Sequence, residues 1–437
     1  MHVALDNGLL VPIDKLDLGG GGTTLVCRST DGRYFLKIGL ARHPDKANDL
    51  VGEADVIADL NRKRCVSCPQ LIGMGSLPRH EVEKVLAFDQ LPYPPSPDVD
   101  AFPVMVLPYL NSDDAIDIHD LLFALIEQRR LGWFHGDLRS DNIRFDPADK
   151  ICYLIDYDQA EQLTEEQQAL GLADYLRWAD ERVREKYAKW NFRGLFHYFG
   201  DVDLEKHILP FLTDGRLDVA KTQLYQAQET TLNTSKIYHS FSYADVFASG
   251  ERDLTERRSF LDQVSFEAGE SVLDVGCNAG LLSAYLAGRG CQVTGVDIDP
   301  YVIRGARMLA NIRGDGDRVK FVCADLDKTE LLGHYDTIML FSVLHHTQNM
   351  VANAARLANA GKRIIIECRL QEVGAKPVGD QWVQTNVWRH ETLESLQSGL
   401  VNLFPGFDCK RTLGQGDRGR FIFELVRSSS QRGVLAA

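Results

Sequence analysis

Short apolar runs separated by turns occupy the first forty residues, and a helical pattern follows them. In the stretch 45–60, apolar residues recur three and four positions apart, which is the spacing of one helix face. The proline-rich stretch 91–97 predicts a loop, and the apolar run at 104–107 predicts the start of a second lobe. The pattern therefore predicts a bilobal α+β domain, with strands of the first lobe at 16–18, 24–28 and 34–38.

From Ser271 onward the pattern changes, because short β-branched runs alternate with helical segments. Such alternation predicts a parallel sheet covered by helices on both faces. The weakly patterned stretch 213–251 lies between the two patterns. We therefore predict a first domain at 1–215, a linker or lid segment at 216–254 and an α/β, Rossmann-like domain at 255–427. The strands of this last domain are predicted at 272–275, 293–296, 319–323, 337–341 and 363–368.

The composition agrees with two folded domains. The chain has 437 residues, of which 44% are apolar, and its charged residues are spread along both halves. A formal net charge of −14 disfavours nucleic acid as a partner, because a phosphate backbone would be repelled. Since the N-terminus lacks a secretory signal and no apolar stretch is long enough to span a bilayer, we expect a cytoplasmic protein. The oligomeric state, including a homo-oligomer, stays open.

The nine cysteines are expected to be reduced thiols, because they are scattered and odd in number. Cys65 and Cys68 have the CxxC spacing of a metal or redox site. A metal site needs four ligands, and no second half-site of the usual spacing occurs in the sequence. The pair is therefore expected to be structural.

The most specific local signal is HGDLRSDN at 135–142, followed by YLIDYD at 153–158. Transfer of a phosphoryl group from ATP needs a carboxylate that orients the attacking hydroxyl and oxygen ligands that hold Mg²⁺ against the phosphates. Asp137 is the candidate for the first role. Asn142, five residues later, and Asp156, which ends an apolar strand, are the candidate metal ligands.

In order and spacing these residues resemble the protein-kinase-like superfamily, and within it the small-molecule, aminoglycoside-type and lipopolysaccharide kinases. HGD stands where protein kinases have HRD, DYD stands where they have DFG, and no APE-like segment follows, which disfavours a protein substrate. The resemblance implies that ATP is bound by a glycine turn, by a lysine paired with a helix glutamate, and by a hinge. The residues in these roles are Gly19, Gly20, Gly21, Gly22, Lys37, Glu53, Pro108 and Leu110. Taken alone, the glycines are also consistent with a flexible turn. Glu53 is also consistent with a solvated position on a helix, and the hinge residues with a plain loop strand.

A second signal, VLDVGCNAG at 272–280, runs from a predicted buried strand into a helix. Glycines at such a turn let the backbone approach a ligand closely. Asp297, at the end of the next strand, is placed to accept hydrogen bonds from ribose hydroxyls, and Asp325, after the third strand, to meet an adenine amino group. The spacing G-C-N-A-G differs from the G-x-G-x-x-G of dinucleotide-binding domains.

This succession resembles the class I S-adenosylmethionine-dependent methyltransferases over 255–427. The resemblance implies S-adenosylmethionine as a cofactor, bound by Asp274, Gly276, Cys277, Asn278, Gly280, Asp297, Ile298, Asp325 and Leu326. His345 and His346 follow the fourth strand, and either is a candidate general base if the acceptor is a hydroxyl, whereas a phosphate acceptor needs none. One of them can instead cap the strand or line the pocket. The stretch 380–390 is a candidate for the acceptor side, and 237–243 is either a lid or inter-domain packing.

The two domains together imply ATP, Mg²⁺ and S-adenosylmethionine as cofactors and a small-molecule or glycan acceptor. Tethering favours sequential chemistry, because it raises the concentration of the first product at the second site. In domain content the chain resembles the bifunctional kinase-methyltransferases that terminate bacterial O-antigen polysaccharides, although the domain order is reversed and no long heptad tail is present. Two alternatives stay open: modification of different positions of a small molecule or nucleoside, and a non-catalytic domain that senses ATP or S-adenosylmethionine.

Overall fold

In the computed structural model, the first strands of the chain form an antiparallel sheet in the order β2-β1-β6-β7-β5-β4-β3. Apolar residues alternate with polar ones, so that Leu36 and Ile38 of the fifth strand are fully buried while Lys37 points to the other face. The strands are β1 (His2–Leu5), β2 (Leu10–Pro12), β3 (Asp17–Leu18), β4 (Thr24–Arg28), β5 (Tyr34–Gly39), β6 (Gly73–Pro78) and β7 (Ala101–Pro108).

The structure describes most of the chain in thirteen stretches, and the statements below concern these residues. The chain divides into two compact units. The first contains 1–224, 242–247 and 311–314, and the second contains 225–241, 248–310 and 315–437. The described residues are 2–13, 15–19, 23–40, 49–110, 118–146, 151–190, 194–197, 202–219, 238–250, 252–329, 333–370, 390–416 and 419–428.

One expectation about the first unit is wrong. The run 104–107, predicted to open a second lobe, lies in β7, which pairs with β5 on one side and β6 on the other. The proline-rich loop at 91–97 therefore connects two strands of one sheet. An apolar run flanked by a loop does not reveal its partners, because both β5 and β6 are distant from it in the sequence.

The helix α1 (Leu50–Arg62) follows the sheet, and it begins at Leu50 because the Asp49 side chain accepts a hydrogen bond from the Gly52 backbone N–H at 2.9 Å. The predicted start of this helix, 45–48, lies outside the described residues. After α2 (Arg79–Glu83) and β7, the chain continues through helices and short strands. These are α3 (Ile118–Arg130), β8 (Trp133–Phe134), β9 (Ile143–Asp146), β10 (Ile151–Leu154), β11 (Glu161–Gln162), α4 (Glu165–Ala169), α5 (Leu172–Lys186), β12 (Leu212–Thr213) and β13 (Arg216–Asp218).

The predicted linker 216–254 contains β13 and two more strands, β14 (Phe241–Ser242) and β15 (Val246–Ala248). Leu217 of β13 pairs in parallel with Val246 of β15. Residues 220–237 lie outside the described part of the chain. The domain limits at 215 and 255 stay predictions.

The second unit is built on a seven-stranded sheet in the order β18-β17-β16-β19-β20-β22-β21. The first five of these strands are parallel, as the alternation predicted, and β22 is antiparallel to both of its neighbours. The two antiparallel strands were not predicted. The strands are β16 (Ser271–Val275), β17 (Gln292–Asp297), β18 (Val319–Cys323), β19 (Tyr335–Phe341), β20 (Gly361–Arg369), β21 (Phe407–Gly416) and β22 (Arg420–Arg427).

Helices connect these strands, and an apolar core fills the space between them and the sheet. Ile338 and Ile364 on adjacent strands pack with Leu357 and Leu400 from helices, and all four are fully buried. The carboxyl ends of the parallel strands meet at one edge of the sheet, which is where such sheets bind ligands. The helices are α6 (Thr255–Asp262), α7 (Leu281–Gly288), α8 (Pro300–Arg313), α9 (Met350–Ala360) and α10 (Leu393–Leu403).

Two findings bear on the expectations from composition. All nine cysteines are free thiols, and burial raises the pKa of Cys65 and of Cys68, which makes both poor nucleophiles and poor metal ligands. Within the described ranges, no helix combines the length and the apolar character needed to cross a membrane.

Candidate active sites

In the first unit, the side chain of Lys37 joins β5 to α1 and to the loop after β10. Its Nζ lies 2.6 Å from Glu53 Oε2 and 2.5 Å from Asp156 Oδ1. Glu53 is only 1% exposed, so the interpretation as a solvated helix residue is wrong. Burial alone would lower the pKa of Lys37, but the carboxylates of Glu53 and Asp156 raise it further than burial lowers it. Lys37 therefore carries a fixed positive charge.

The loop between β8 and β9 holds Asp137 in a hydrogen-bonded position. Gly136 has φ +75°, and a Cβ there would lie 2.1 Å from the Gln159 carbonyl oxygen, so only glycine fits. The carboxylate of Asp137 accepts hydrogen bonds from Asn142 Nδ2 at 3.0 Å and from Arg139 Nε at 3.0 Å. His135, before the glycine, contacts the Ile155 carbonyl through Nε2 at 2.9 Å, and burial lowers its pKa to about 4, which keeps it neutral.

Three carboxylates converge beside this loop. One oxygen from each of Asp137, Asp156 and Asp158 lies within 4.8 Å of the others. Asp156 has φ +67°, a left-handed conformation that is unusual for a residue other than glycine. Hard oxygen donors of this kind suit Mg²⁺, and Asn142, whose Nδ2 lies 3.0 Å from Asp137 Oδ2, is a neighbouring residue that also carries an oxygen donor. The residues present therefore fit the expected metal ion.

Asp158 was not among the predicted ligands, although the second acid of the DYD triplet was a signal for it. Two further contacts to the loop come from the end of α5. Tyr187 donates its hydroxyl to Asp137 Oδ1, and Lys186 Nζ donates to the Gly136 carbonyl at 2.7 Å. Tyr187 and Lys186 lie fifty positions after the loop residues that they contact and belong to no local motif, so these contacts could not be predicted from the sequence.

The remaining candidates for ATP contacts are placed only in part. Gly19 closes a turn by donating its N–H to the Thr24 carbonyl at 2.8 Å, and Gly20, Gly21 and Gly22 lie outside the described residues. Pro108 ends β7 opposite Tyr34 of β5, and Leu110 follows two residues later. The structure brings these two next to the sheet that carries Lys37.

In the second unit, the turn after β16 contains three left-handed residues within five positions: Gly276 (φ +69°), Asn278 (φ +50°) and Gly280 (φ +71°). A Cβ on Gly276 would lie 2.7 Å from Cγ2 of Val343, and one on Gly280 would lie 2.3 Å from Cζ of Phe321. Both glycines are required, because the backbone passes directly over neighbouring side chains. Cys277 between them is buried, which raises the pKa of its thiol.

Asp297 ties this turn to the end of β17. Its Oδ2 accepts a hydrogen bond from the Asn278 N–H at 2.9 Å, and its Oδ1 accepts one from the Asp299 N–H at 3.2 Å. Burial raises the pKa of Asp297 even so. Ile298, next to it, is 60% exposed, which is unusual for isoleucine and places an apolar surface at this end of the sheet.

The other predicted cofactor residues occupy different environments. Asp325 is partly exposed. Its carboxylate pairs with Lys328 Nζ at 2.9 Å and accepts a hydrogen bond from the Asp327 N–H at 2.9 Å, and both contacts lower its pKa. Leu326 is buried and belongs to the apolar core, so its side chain packs inward. Asp274 is 2% exposed beneath the turn and accepts a hydrogen bond from Ser283 Oγ at 2.6 Å.

Asp274→Asn is expected to stabilise the second unit above pH 6, with a smaller gain near pH 4. Burial raises the pKa of Asp274 from 3.8 to about 6, so the folded state holds this proton more tightly than the unfolded state does. Stability therefore falls as the pH rises from about 4 to about 6, by up to about 3 kcal/mol, and stays lower at higher pH. Asparagine cannot ionise, and its amide oxygen still accepts the bond from Ser283. Thermal unfolding at both pH values measures the effect, and an equal gain at both would contradict it.

His345 and His346 form a single 3-10 turn after β19, with ring centroids 4.0 Å apart. Burial lowers the pKa of His345 to about 3 and also lowers that of His346. Both rings are therefore neutral near pH 7. Of the predicted acceptor stretch 380–390, only His390 is described, and Ile237 of the predicted lid lies outside the described residues.

Comparison with known proteins gives matches for the second unit. Residues 273–362 match the family model described as "Methyltransferase domain". The ubiquinone biosynthesis O-methyltransferase of Nitrosospira multiformis is 30% identical over 108 residues, which are 24% of this chain and 44% of that protein. The chloroplastic magnesium protoporphyrin IX methyltransferase of Arabidopsis thaliana is 39% identical over 119 residues, 26% of this chain and 35% of that protein. The matched part of the chain thus spans less than half the length of these curated relatives.

Among solved structures, the bifunctional kinase-methyltransferase WbdD is similar with a TM-score of 0.35 and 20% sequence identity, over 47% of this chain and 46% of that one. The magnesium protoporphyrin IX methyltransferase ChlM of Synechocystis PCC 6803 is similar with a TM-score of 0.30 and 25% identity, over 40% of this chain and 78% of that one. The family match falls on the strands and the glycine turn described above. Residues 273–362 therefore form a methyltransferase domain of the class that uses S-adenosylmethionine.

Proposed function

We propose that the chain is a bifunctional enzyme that phosphorylates an acceptor hydroxyl, at a sugar or glycan end, with Mg-ATP and then methylates the same product with S-adenosylmethionine. The observation that carries the kinase half is the convergence of Lys37, Glu53 and Asp156 next to Asp137, from four separate parts of the first unit. A structural ion pair would not need a second and third carboxylate beside it, since like charges at this spacing repel each other.

In the phosphoryl transfer, the acceptor oxygen attacks the γ-phosphorus, the bond to the bridging oxygen breaks, and ADP leaves with that electron pair. Asp137 orients the acceptor hydroxyl and accepts its proton. Lys37, held by Glu53, supplies a fixed positive charge for the phosphates. Mg²⁺ held by Asn142, Asp156 and Asp158 would neutralise phosphate charge.

In the methyl transfer, an acceptor oxygen would attack the methyl carbon of S-adenosylmethionine, and the carbon–sulfur bond would break with its electron pair on sulfur, so that S-adenosylhomocysteine leaves. The glycine turn at 276–280 would permit close approach of the cofactor, and Asp297 at the end of β17 would accept hydrogen bonds from the ribose hydroxyls. His345 or His346 acts as a base only if the acceptor oxygen arrives protonated.

Mass spectrometry of a panel of oligosaccharides tests this function. The full chain is incubated with ATP and Mg²⁺, with and without S-adenosylmethionine. We expect the gain of one phosphate with ATP alone and of one further methyl group only when both cofactors are present. Methylation without ATP would contradict the sequential order and favour separate positions on the acceptor. Phosphorylation of nucleosides or small molecules but of no sugar would contradict the glycan acceptor, and absence of phosphorylation throughout would favour a sensing role for the first unit.

A further inference from the structure

A pocket opens in the second unit beyond the carboxyl ends of β19 and β20. Its walls combine an apolar base with a charged rim, and none of the rim residues except His345 was among the predicted site residues. The lining residues are Leu340, Ser342, Leu344, His345, Ile366, Glu367, Cys368, Arg369 and Arg420.

The rim has an excess of positive charge. Arg369 of β20 and Arg420 of β22 occupy directly opposite positions in the antiparallel register, so both side chains lie on the same face of the sheet. Like charges in opposite positions destabilise a sheet. An anion bound between the two guanidinium groups would offset this repulsion.

Among the described lining residues, the carboxylate is that of Glu367, and it is already paired with Arg257. Glu367 is buried, and both of its oxygens accept hydrogen bonds from Arg257, from Nε at 2.9 Å and from Nη2 at 2.6 Å. Ser342 Oγ also donates to it, and Arg420 Nε lies 4.0 Å away. Among the described lining residues, Arg369 and Arg420 thus outnumber the acidic residue Glu367.

Two further observations agree with an anion site. Ser342 has φ +56°, and a strained backbone at a residue that carries a hydroxyl into a pocket is typical of functional sites. The neighbouring arginines add to burial in lowering the pKa of three histidines, since Arg420 acts on His239, His345 and His346 alike. The positive field therefore extends through the whole rim.

We propose that this pocket binds the methyl acceptor through an oxyanion, a phosphate monoester or a carboxylate, with Arg369 and Arg420 as the charged contacts and the neutral ring of His345 beside them. This inference rests on the proposed methyl transfer. An anionic acceptor oxygen attacks the methyl carbon directly, the carbon–sulfur bond breaks with its electron pair on sulfur, and S-adenosylhomocysteine leaves. No proton has to move, which suits a pocket in which, among the described lining residues, the carboxylate of Glu367 is held by Arg257 and the ring of His345 is a weak base.

Calorimetric titration of the full chain saturated with S-adenosylhomocysteine tests the pocket, without ATP. The probes are phenyl phosphate, benzoate and phenol, which share a ring and differ in charge. We expect phenyl phosphate or benzoate to bind more tightly than phenol, and the tighter of the two identifies the anion. Arg420→Gln and Arg369→Gln are each expected to weaken anion binding by about tenfold or more, because each removes a charge-assisted hydrogen bond.

Lys362→Gln is the matched control. Lys362 lies near the start of β20, whereas Arg369 is its last residue. Lys362 pairs with Asp336 on the exposed surface, so its replacement should not change anion affinity. Equal affinity for phenol and the anions, or unchanged anion affinity in both arginine variants with S-adenosylhomocysteine still bound, would overturn the pocket assignment alone. Failure of the unaltered chain to bind S-adenosylhomocysteine would instead overturn the proposed methyl transfer.

Discussion

Asp137→Asn is expected to lower phosphoryl transfer by about 10²- to 10⁴-fold, the range that a positioned general base contributes. Asparagine has the same volume as aspartate. Its amide oxygen can still accept the hydrogen bond that Asn142 Nδ2 donates to the Asp137 carboxylate at 3.0 Å in the unaltered chain. It cannot accept the proton of the acceptor hydroxyl, and it removes one of the three carboxylates that lie within 4.8 Å of one another. The measurement is the rate of ADP formation with the acceptor that the oligosaccharide panel identifies.

Asp141→Asn is the matched control, since it removes a carboxylate from the same loop. The side chain of Asp141 is 59% exposed and pairs with Arg139 Nη1 at 3.4 Å. We expect its phosphoryl transfer to stay within a few-fold of the unaltered chain, and the S-adenosylmethionine affinity of both variants to be unchanged. A full rate in Asp137→Asn would contradict the assignment of the base. Loss of both activities in that variant would indicate misfolding.

Gly280→Ala is expected to lower the free energy of unfolding of the second unit by about 2–5 kcal/mol and to weaken S-adenosylmethionine binding. The residue is left-handed, with φ +71°, which destabilises an alanine by about 1–2 kcal/mol. Its Cβ would also lie 2.3 Å from Cζ of the buried Phe321, and such overpacking destabilises by about 1–3 kcal/mol. To relieve this clash, either the Phe321 ring or the turn that the cofactor approaches has to move. Urea unfolding and calorimetric titration with S-adenosylmethionine measure the two effects.

Gly305→Ala provides the control for this substitution. Gly305 lies within α8, and a Cβ there would have no atom within 4 Å. Because glycine is a poor helix former, we expect this variant to gain up to about 1 kcal/mol in stability. If Gly280→Ala unfolds and binds the cofactor as the unaltered chain does, the close approach of the backbone to Phe321 at this turn is not needed.

The local parts of both sites could be predicted from the sequence. The strand that carries Lys37, the loop with Asp137 and Asn142, and the turn at 276–280 each lie within a few consecutive residues, and the spacing of these residues sets their relative positions. The five parallel strands of the second unit could be predicted for the same reason, because β-branched runs that alternate with helices are a property of the local sequence. The glycines at 276 and 280 follow from local backbone geometry.

Apart from the pairing of Lys37 with Glu53, which the resemblance to kinases implied, contacts between distant segments could not be predicted. Tyr187 contacts Asp137 across fifty residues, and Arg257 contacts Glu367 across 110. The two antiparallel strands β21 and β22 lacked a pattern that predicts their place in the sheet, and Arg420 was missed with them. The place of 104–107 in the first sheet was missed because one partner strand, β5, lies far away in the sequence and the other, β6, is separated from it by a helix and the proline-rich loop.

From the sequence alone, we could predict a candidate chemistry for each unit, because motifs for phosphates and for cofactors depend on residue types at short, regular spacings. Only the tertiary structure decided which charges face each other. Asp158 completes a three-carboxylate cluster, Asp274 lies beneath the turn, and Arg369 lies opposite Arg420. The physical reason is that burial, charge and strand register are properties of packed surfaces, and packing brings together residues whose separation along the chain contains no information about their distance in space.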